Sequence, residues 1–382
     1  RDECGPRSNL RYSIGISIHN TRAHFVVSNV SITCSYYDYY YYLVYLYDVA
    51  NGTIRDSQLY GNYYGIYAES SSHVTVSNVT FQEMSSGVYA VYSDDFVVRD
   101  SVMSNCWSYG ILFQYSDRLV AENNTFETSG SYGIYLYDTD DAMMAANSFS
   151  SVSYAMYSEY GTNLSMVGNE VSSGYYGVMI YYGSGTTVSG NSFYGMYYES
   201  VYIVYSVDSV ISHNTVVDTT SYYYYYDAPS LYIYSCQGTV VSGNNLSSTA
   251  GGTYGRIGVY LSGTDDTAVE GNNITGRYMA IIVGYYYYYS NLGTNDTRIL
   301  GNSIGMSTYG IYAQGYDYYE TQYRQTNLTV DGNHFWDIYY AIYVYLADDS
   351  LITANSASDI DGVGMYIYYS NRITVTDNTL RG

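Results

Sequence analysis

Carboxylates recur along this chain at a fixed interval. Asp94, Asp117 and Asp140 stand 23 residues apart, and Asp95 and Asp141 double two of them. Asp208, Asp265, Asp266, Asp296, Asp348 and Asp349 continue the series. If successive repeats stack as neighbouring strands, these side chains approach to about 5 Å and repel one another. Two readings follow. In one, Ca2+ bridges adjacent turns through Asp94, Asp95, Asp117, Asp140 and Asp141, since a hard cation takes oxygen ligands. In the other, Asp occupies a solvated edge because it favours turns.

The thiols and sequons offer a second chemistry. The cysteines are Cys4, Cys34, Cys106 and Cys236. Cys4 and Cys34 fall close enough in a stacked chain to pair with each other. Cys106 and Cys236 fall about five repeats apart, roughly 24 Å, beyond the approximately 7 Å Cα limit of a disulfide. They are free, or they bridge between molecules, as an extracellular setting favours. Asn-x-Ser/Thr sequons stand at Asn29, Asn51, Asn78, Asn123, Asn163, Asn245, Asn273, Asn295 and Asn327. Each is a glycosylation candidate or a corner residue of the repeat. His213 and His334 lie in repeat units about five coils apart and read as surface residues.

The elements that position these groups follow from an internal repeat. A hexapeptide of apolar, two residues, Asn, one residue, apolar appears as MAANSF (144–149), MVGNEV (166–171), VSGNSF (188–193) and ISHNTV (211–216), and continues to VTDNTL (375–380). Its asparagines include Asn124, Asn147, Asn169, Asn191, Asn214, Asn244, Asn272, Asn302, Asn333, Asn355 and Asn378. Degenerate earlier copies place Val30, Ser57, Val79 and Asp100 at the same point. A small residue precedes most copies by 14 positions, as Gly133 precedes Asn147 and Ala155 precedes Asn169. It marks a second corner where a side chain would clash. Strand-like alternation rich in Val, Ile and Tyr fills the spaces, and helical periodicity is absent. The period predicts an all-β fold, a single right-handed parallel β-helix of about 15 coils of about 22 residues. Insertions at 221–229, 247–257, 284–295 and 315–326 fall at corners. Residues 1–23 form an N-terminal segment and 24–382 the β-helix. Asn at one corner of each coil can build a ladder of amides.

Composition sets the outer limits. The chain of 382 residues carries a net charge of −22, with 13 Arg and no Lys. No basic cluster exists to neutralise phosphates, which disfavours nucleic-acid binding. No apolar run approaches the roughly 18 residues a membrane span needs. The chain starts at Arg1 without a signal-like segment, as a processed chain or a fragment does. Its last residues are still repeat sequence, so an open edge is expected at that end, a template for pairing.

Tyrosine, at 60 residues, is the most abnormal feature. One position after the inward apolar residue stand Tyr67, Tyr89, Tyr135, Tyr157, Tyr202, Tyr232, Tyr260, Tyr312, Tyr343 and Tyr366. Strand alternation points this column outward. Tyr137, Tyr181, Tyr234, Tyr345 and Tyr368 add a partial second column. Stacked rings stabilise a sheet laterally. A bare aromatic wall of this length also suits docking to another subunit or to a glycan.

The units SYGIYLYDTDD (131–141) and AENNTF (121–126) resemble the repeats of NosD-like β-helices, over about residues 24–380. The resemblance implies the right-handed parallel β-helix. Members of that group include copper-insertion accessories, polysaccharide lyases and epimerases, phage tailspikes and archaeal surface proteins. The acidic, Tyr-rich, sequon-bearing composition is closest in character to surface-layer or sheath proteins of methanogenic archaea. The Asp-Pro-His-Asp motif of the epimerase branch is absent, since the prolines are Pro6 and Pro229. The Gly-His-Gly of polygalacturonases and the calcium nonapeptide of toxin-type β-rolls are absent too. No catalytic residue is assigned. The expectation is an extracellular, non-enzymatic protein that self-assembles into a surface layer, sheath or fibre. The alternative is a polysaccharide-binding or polysaccharide-cleaving β-helix of the lyase, hydrolase or tailspike type. The only cofactor considered is Ca2+.

Overall fold

A computed structural model describes residues 2–4, 14–34, 42–127, 130–218, 228–249, 257–284, 293–318 and 321–382. The greater part of three insertions (221–229, 247–257 and 284–295) lies outside the described residues. Those residues contain β-strands and turns and no helix. They fall into two compact units, 1–179 and 180–382.

In the first unit one coil shows the plan. Strand Tyr132–Tyr137 belongs to the first sheet, Met143–Ala145 to the second and Ser148–Ser150 to the third. Each pairs in parallel with its equivalent one coil on, namely Tyr154–Glu159, Ser165–Val167 and Glu170–Ser172. The register brings like residues together: Phe126 pairs with Phe149 and Phe149 with Val171. The Phe126 and Phe149 rings stack at 4.5 Å. The vertical file is therefore the packing unit, and one-residue alternation sends every second side chain inward. Strands Asp2–Cys4 and Ile14–Thr21 of the N-terminal segment pair in parallel with Ser31–Cys34 and with the start of Tyr42–Glu69.

In the second unit the same stacking carries a file of Val188, Ile211, Val241, Val269, Ile299, Val330 and Ile352 through successive second-sheet strands. All seven are buried. The insertion at 315–326 carries an antiparallel ribbon, Tyr316–Tyr318 against Thr321–Tyr323.

The corner between second and third sheets is the expected amide ladder. In the second unit Asn214 donates from its backbone N–H and its Nδ2 to the Oδ1 of Asn244 at 2.9 and 3.0 Å. Asn244 does the same to Asn272, Asn272 to Asn302 and Asn302 to Asn333. In the first unit Asn124 and Asn147 continue the rule. The ladder position in the preceding coil is Ser101, not Asp100: the Ser101 N–H donates to Asn124 Oδ1, and Ser101 Oγ accepts from the Val79 N–H. Asp100 is one residue earlier, in the left-handed region at φ 51°. The repeated small residue is also placed differently from expectation. Gly133 is the second residue of strand Tyr132–Tyr137 rather than a corner. A Cβ there would lie 2.6 Å from the Ala155 carbonyl oxygen and 2.6 Å from the Phe149 ring, so the clash is real.

Candidate functional site

The carboxylate series and an unforeseen row of tyrosines meet at the turn that follows each first-sheet strand. In the first unit this turn is 92–95, 115–118, 138–141 and 160–163. Its first and last residues are left-handed: Tyr92 and Asp95 at φ 50° and 55°, Tyr115 and Arg118 at 50° and 60°, Asp138 and Asp141 at 51° and 54°. The second residue is small and buried, as Ser93, Ser116 and Thr139 are. Ser93 donates its N–H to Ser116 Oγ at 2.7 Å, forming a second internal ladder.

The third residue resolves the expected repulsion. Asp94 Oδ1 accepts the Asp117 N–H at 2.9 Å, Asp117 Oδ1 accepts the Asp140 N–H at 3.0 Å, and Asp140 Oδ1 accepts the Thr162 N–H at 2.9 Å. Each carboxylate thus caps the coil above it. Asp95 binds Arg118 at 2.6 and 3.0 Å, and those hydrogen bonds hold its carboxyl below the usual range. Asp141 accepts from Asn163 Nδ2 at 3.1 Å. Each of the five calcium candidates therefore has at least one oxygen engaged by a protein donor. No group of three or more His, Cys, Asp or Glu side chains suited to a metal occurs among the described residues.

In the second unit the same turn carries Asp208, Asp265, Asp266, Asp296, Asp348 and Asp349. Gln237, Asp265, Asp266, Asp296, Arg298, Asn327 and Thr329 line a shallow depression of about 540 Å3 there. Asn327 Nδ2 donates to Asp296 at 2.8 Å, and Arg324 grips Asp348 at 2.8 and 2.9 Å.

The outward tyrosine column forms, but not as a bare wall. Its rings stack on one another: Tyr135 on Tyr157 at 5.0 Å, Tyr202 on Tyr232 at 4.9 Å, Tyr312 on Tyr343 at 4.7 Å and Tyr343 on Tyr366 at 5.1 Å. Tyr67 and Tyr89 meet edge to face at 5.0 Å. Several hydroxyls turn back to the same sheet: Tyr89 to Gln114, Tyr157 to Glu159 and Tyr312 to Gln314. Burial pushes the phenols of Tyr67, Tyr135 and Tyr312 above their ordinary pKa. Two members depart outright from the expected exposed face. Tyr232 is 6% exposed and Tyr260 2%, packed in a cluster with Ile257, Met279 and Ile282. Apolar corner residues have closed over the column there.

The exposed aromatic surface is one position beyond the second column. Tyr92 is 61% exposed, Tyr115 44% and Tyr160 47%. Tyr92 stacks on Tyr115 at 5.3 Å, Tyr115 meets Tyr137 at 5.4 Å, and Tyr137 meets Tyr160 at 5.7 Å. Four rings thus follow one another over four coils, the half-buried Tyr137 leaning into the gap left by Asp138. A bulky residue at positive φ is a backbone outlier that costs about 1–2 kcal/mol. The equivalent positions Asp138, Ser235 and Gly263 show that the turn does not require Tyr. Gly, Asn or Asp is the economical choice there, so the phenol is present for what its ring does. Tyr182 and Tyr205, stacked at 5.2 Å, repeat the feature in the second unit. The clue in the sequence was the tetrad Tyr-small-Asp-Asp or Asp-Arg; alternation counting stopped at the strand end and missed it.

The cysteines and sequons fall into ordinary structural places. Cys4 and Cys34 are register partners on parallel strands. Cys34 is a buried free thiol, while the Cys4 side chain lies outside the described residues. Cys106 and Cys236 are also free and buried, so a bridge to another molecule would require opening a coil. Burial pushes the Cys106 thiol up to about 12 and the Cys236 thiol up to about 11. Cys236 Sγ takes the place of Ser in the internal ladder, accepting from the Ser206 N–H at 3.5 Å. The sequon residues Asn29, Asn51, Asn78, Asn123, Asn163 and Asn327 are all left-handed corners. Asn78 and Asn123 donate Nδ2 to Asp56 and Asp100 one coil below, at 2.8 and 2.6 Å. Asn245 and Asn273 bond each other on an exposed strand, and Asn295 accepts from Thr326.

One buried pair escaped sequence reasoning. Arg277 and Asp218, 59 residues apart, form a salt bridge with side-chain exposures of 0% and 1%. Ser230 Oγ donates to the same Asp218 oxygen at 2.6 Å, and Arg277 donates to the Ser247 carbonyl at 3.0 Å. Two insertions separate the partners in sequence, and no spacing rule links them.

Comparison with known proteins places this geometry. Residues 5–163 match the family of the periplasmic copper-binding protein NosD. Residues 119–274 and 229–382 match the right-handed β-helix region. No curated protein matches the chain. Among solved structures, DFA-IIIase from Arthrobacter chlorophenolicus A6 shares 14% identity, with 72% of this chain and 83% of that one covered at a TM-score of 0.44. The periplasmic alginate epimerase AlgG shares 10%, covering 89% and 76% at 0.44. Tailspike protein 3 of bacteriophage CBA120 shares 12%, covering 97% and 57% at 0.41. With parallel strands stacked in both units and a family match over more than half its length, the chain belongs to the right-handed β-helix family.

Proposed function

We propose that this protein is an extracytoplasmic, non-catalytic β-helix that binds a polysaccharide along its corner ridge of tyrosines. The observation that carries this reading is the run Tyr92, Tyr115, Tyr137 and Tyr160 over four coils, with Tyr92, Tyr115 and Tyr160 kept on left-handed turn residues at a backbone cost. Rings stacked in file leave their exposed edges and outer faces to sugar rings, and the carboxylates and amides of the same turns offer hydrogen bonds to hydroxyls. The match to the family of the periplasmic copper-binding protein NosD supports a location outside the cytoplasm. Affinity electrophoresis through gels containing a panel of polysaccharides tests the reading. Retardation by at least one glycan, lost when Tyr92 and Tyr115 are both changed to Asn, is expected. Unretarded migration in every gel, with the fold verified by circular dichroism, rejects it.

Self-assembly into a surface layer, sheath or fibre is a second reading, favoured by a separate patch. Tyr194, at the end of strand Ser192–Tyr194, and Tyr197 and Tyr198 in the turn after it are exposed at 56%, 47% and 41% in the second unit. Concentration-dependent sedimentation, abolished by replacing these three residues with Ser, is its test.

A further inference from the structure

We propose that the ridge of the first unit is selective for a polymer of amine-bearing sugars, with ammonium groups seated between its phenol rings and carboxylates. This deepens the polysaccharide reading and rests on it. The turns 92–95, 115–118, 138–141 and 160–163 carry Asp94, Asp95, Asp117, Asp138, Asp140 and Asp141 against a single guanidinium, Arg118. Arg118 is committed to Asp95 and Asp94. It does not offset Asp138 and Asp141, both exposed. Asp138 takes the ridge position that Tyr115 and Tyr160 take in the adjoining coils, so an anionic oxygen stands within the aromatic file. Phenol faces attract cations, and an adjacent carboxylate adds to the attraction. The chain as a whole, at −22, repels polyanions.

The repeat distance selects a polymer over a folded partner. Ring and carboxylate recur at about 4.8 Å per coil. A ligand that follows rings and carboxylates along successive coils must itself extend along a line, as a glycan does and a folded basic protein does not.

Isothermal titration calorimetry of the full chain distinguishes the possibilities. The probes are glucosamine oligomers, their N-acetylated counterparts of equal length, oligogalacturonate and poly-lysine. The amine oligomer is expected to bind at least about tenfold more tightly than the acetylated one, and to weaken as salt rises. Asp138→Asn and Tyr115→Asn should each weaken it about three- to tenfold. Equal affinity for the acetylated oligomer, or preference for oligogalacturonate, overturns the amine selectivity while leaving the polysaccharide reading intact. Poly-lysine binding as tight as the amine oligomer overturns it in favour of indiscriminate cation uptake. No saccharide binding at all removes both readings.

Discussion

Replacing Asn272 by Ala tests whether the amide ladder holds the second unit together. Asn272 Oδ1 accepts from the backbone N–H and the Nδ2 of Asn244, both at 2.9 Å. Its Nδ2 donates to the Val241 carbonyl and to Asn302 Oδ1, also at 2.9 Å. The side chain is 1% exposed. Truncation strands the buried Asn244 N–H and takes from the Val241 carbonyl one of its two hydrogen bonds, the strand ladder keeping the other. Asn244 Nδ2 keeps the Ile211 carbonyl, and Asn302 Oδ1 keeps the Asn272 N–H, so neither is orphaned. One unsatisfied group at about 1–3 kcal/mol, with about 1 kcal/mol for the lost carbonyl bond, gives a loss of roughly 3 kcal/mol. Ser should cost less, because Ser101 fills a ladder position in the first unit with one accepted and one donated bond. Asp should cost most near neutral pH, since its ionised carboxylate faces the Val241 and Asn302 oxygens. Such an Asp has a raised pKa in the folded state. Its cost is therefore smallest below the unfolded value near 4 and grows as pH rises through the folded value. Urea unfolding measures the totals, and hydrogen exchange at the Asn244 amide locates the damage. An Ala variant within about 1 kcal/mol of the parent, with the Asn244 amide still protected, would refute the ladder as a source of stability.

Changing Arg277 to Met, or Asp218 to Leu, should each destabilise by about 3–5 kcal/mol by leaving a buried charge unpaired, whereas the double change should cost less than either; a double-mutant cycle in urea checks this. Cys106, with a thiol at about 12, should resist iodoacetamide at pH 8 in the native protein and react at once when unfolded, as read by mass spectrometry. Because that thiol holds its proton more tightly folded than unfolded, its stabilising contribution is complete below about pH 8.5 and is lost as pH rises towards the folded value; urea midpoints from pH 8 to 11 should fall, and less so in Cys106→Ala. Tyr115→Asn should leave stability within about 1 kcal/mol, since relief of the left-handed backbone offsets the lost ring contacts with Tyr92 and Tyr137. The same variant should lose saccharide affinity, and thermal melts beside calorimetry separate the two effects.

The stacked architecture was legible because it is written at one spacing. Asn214, Asn244, Asn272 and Asn302 occupy one corner despite insertions between them, since the hexapeptide around each fixes strand, corner and strand together. Asp100 was misplaced by one residue because serine replaces asparagine at that coil, and a hydroxyl that performs the same bonding carries no distinctive signature. The tyrosine column was read correctly in direction and wrongly in cover. Alternation says which side of a strand a residue faces, but not that Ile257 and Met279 will fold over Tyr232 and Tyr260. The ridge itself was hidden because Tyr92, Tyr115 and Tyr160 stand where a pattern reader expects Gly or Asn. The acidic series was visible, but its capping of the next coil depends on hydrogen-bond direction, which spacing does not encode.

The asparagine file also governs how the molecule can change length. Excision of 245–272 in one piece would join Asn244 to Asn273, restore an Asn-Asn-apolar sequence and bring the Asn302 amide over Asn244. Loss of part of the repeated strands, short of a whole coil, would break the file and leave its neighbours with no mate, whereas the corner insertions can shorten without touching it. Heritable lengthening or shortening of such a chain should therefore proceed by whole turns, with related proteins differing by integral numbers of coils while each surviving turn keeps its own surface chemistry.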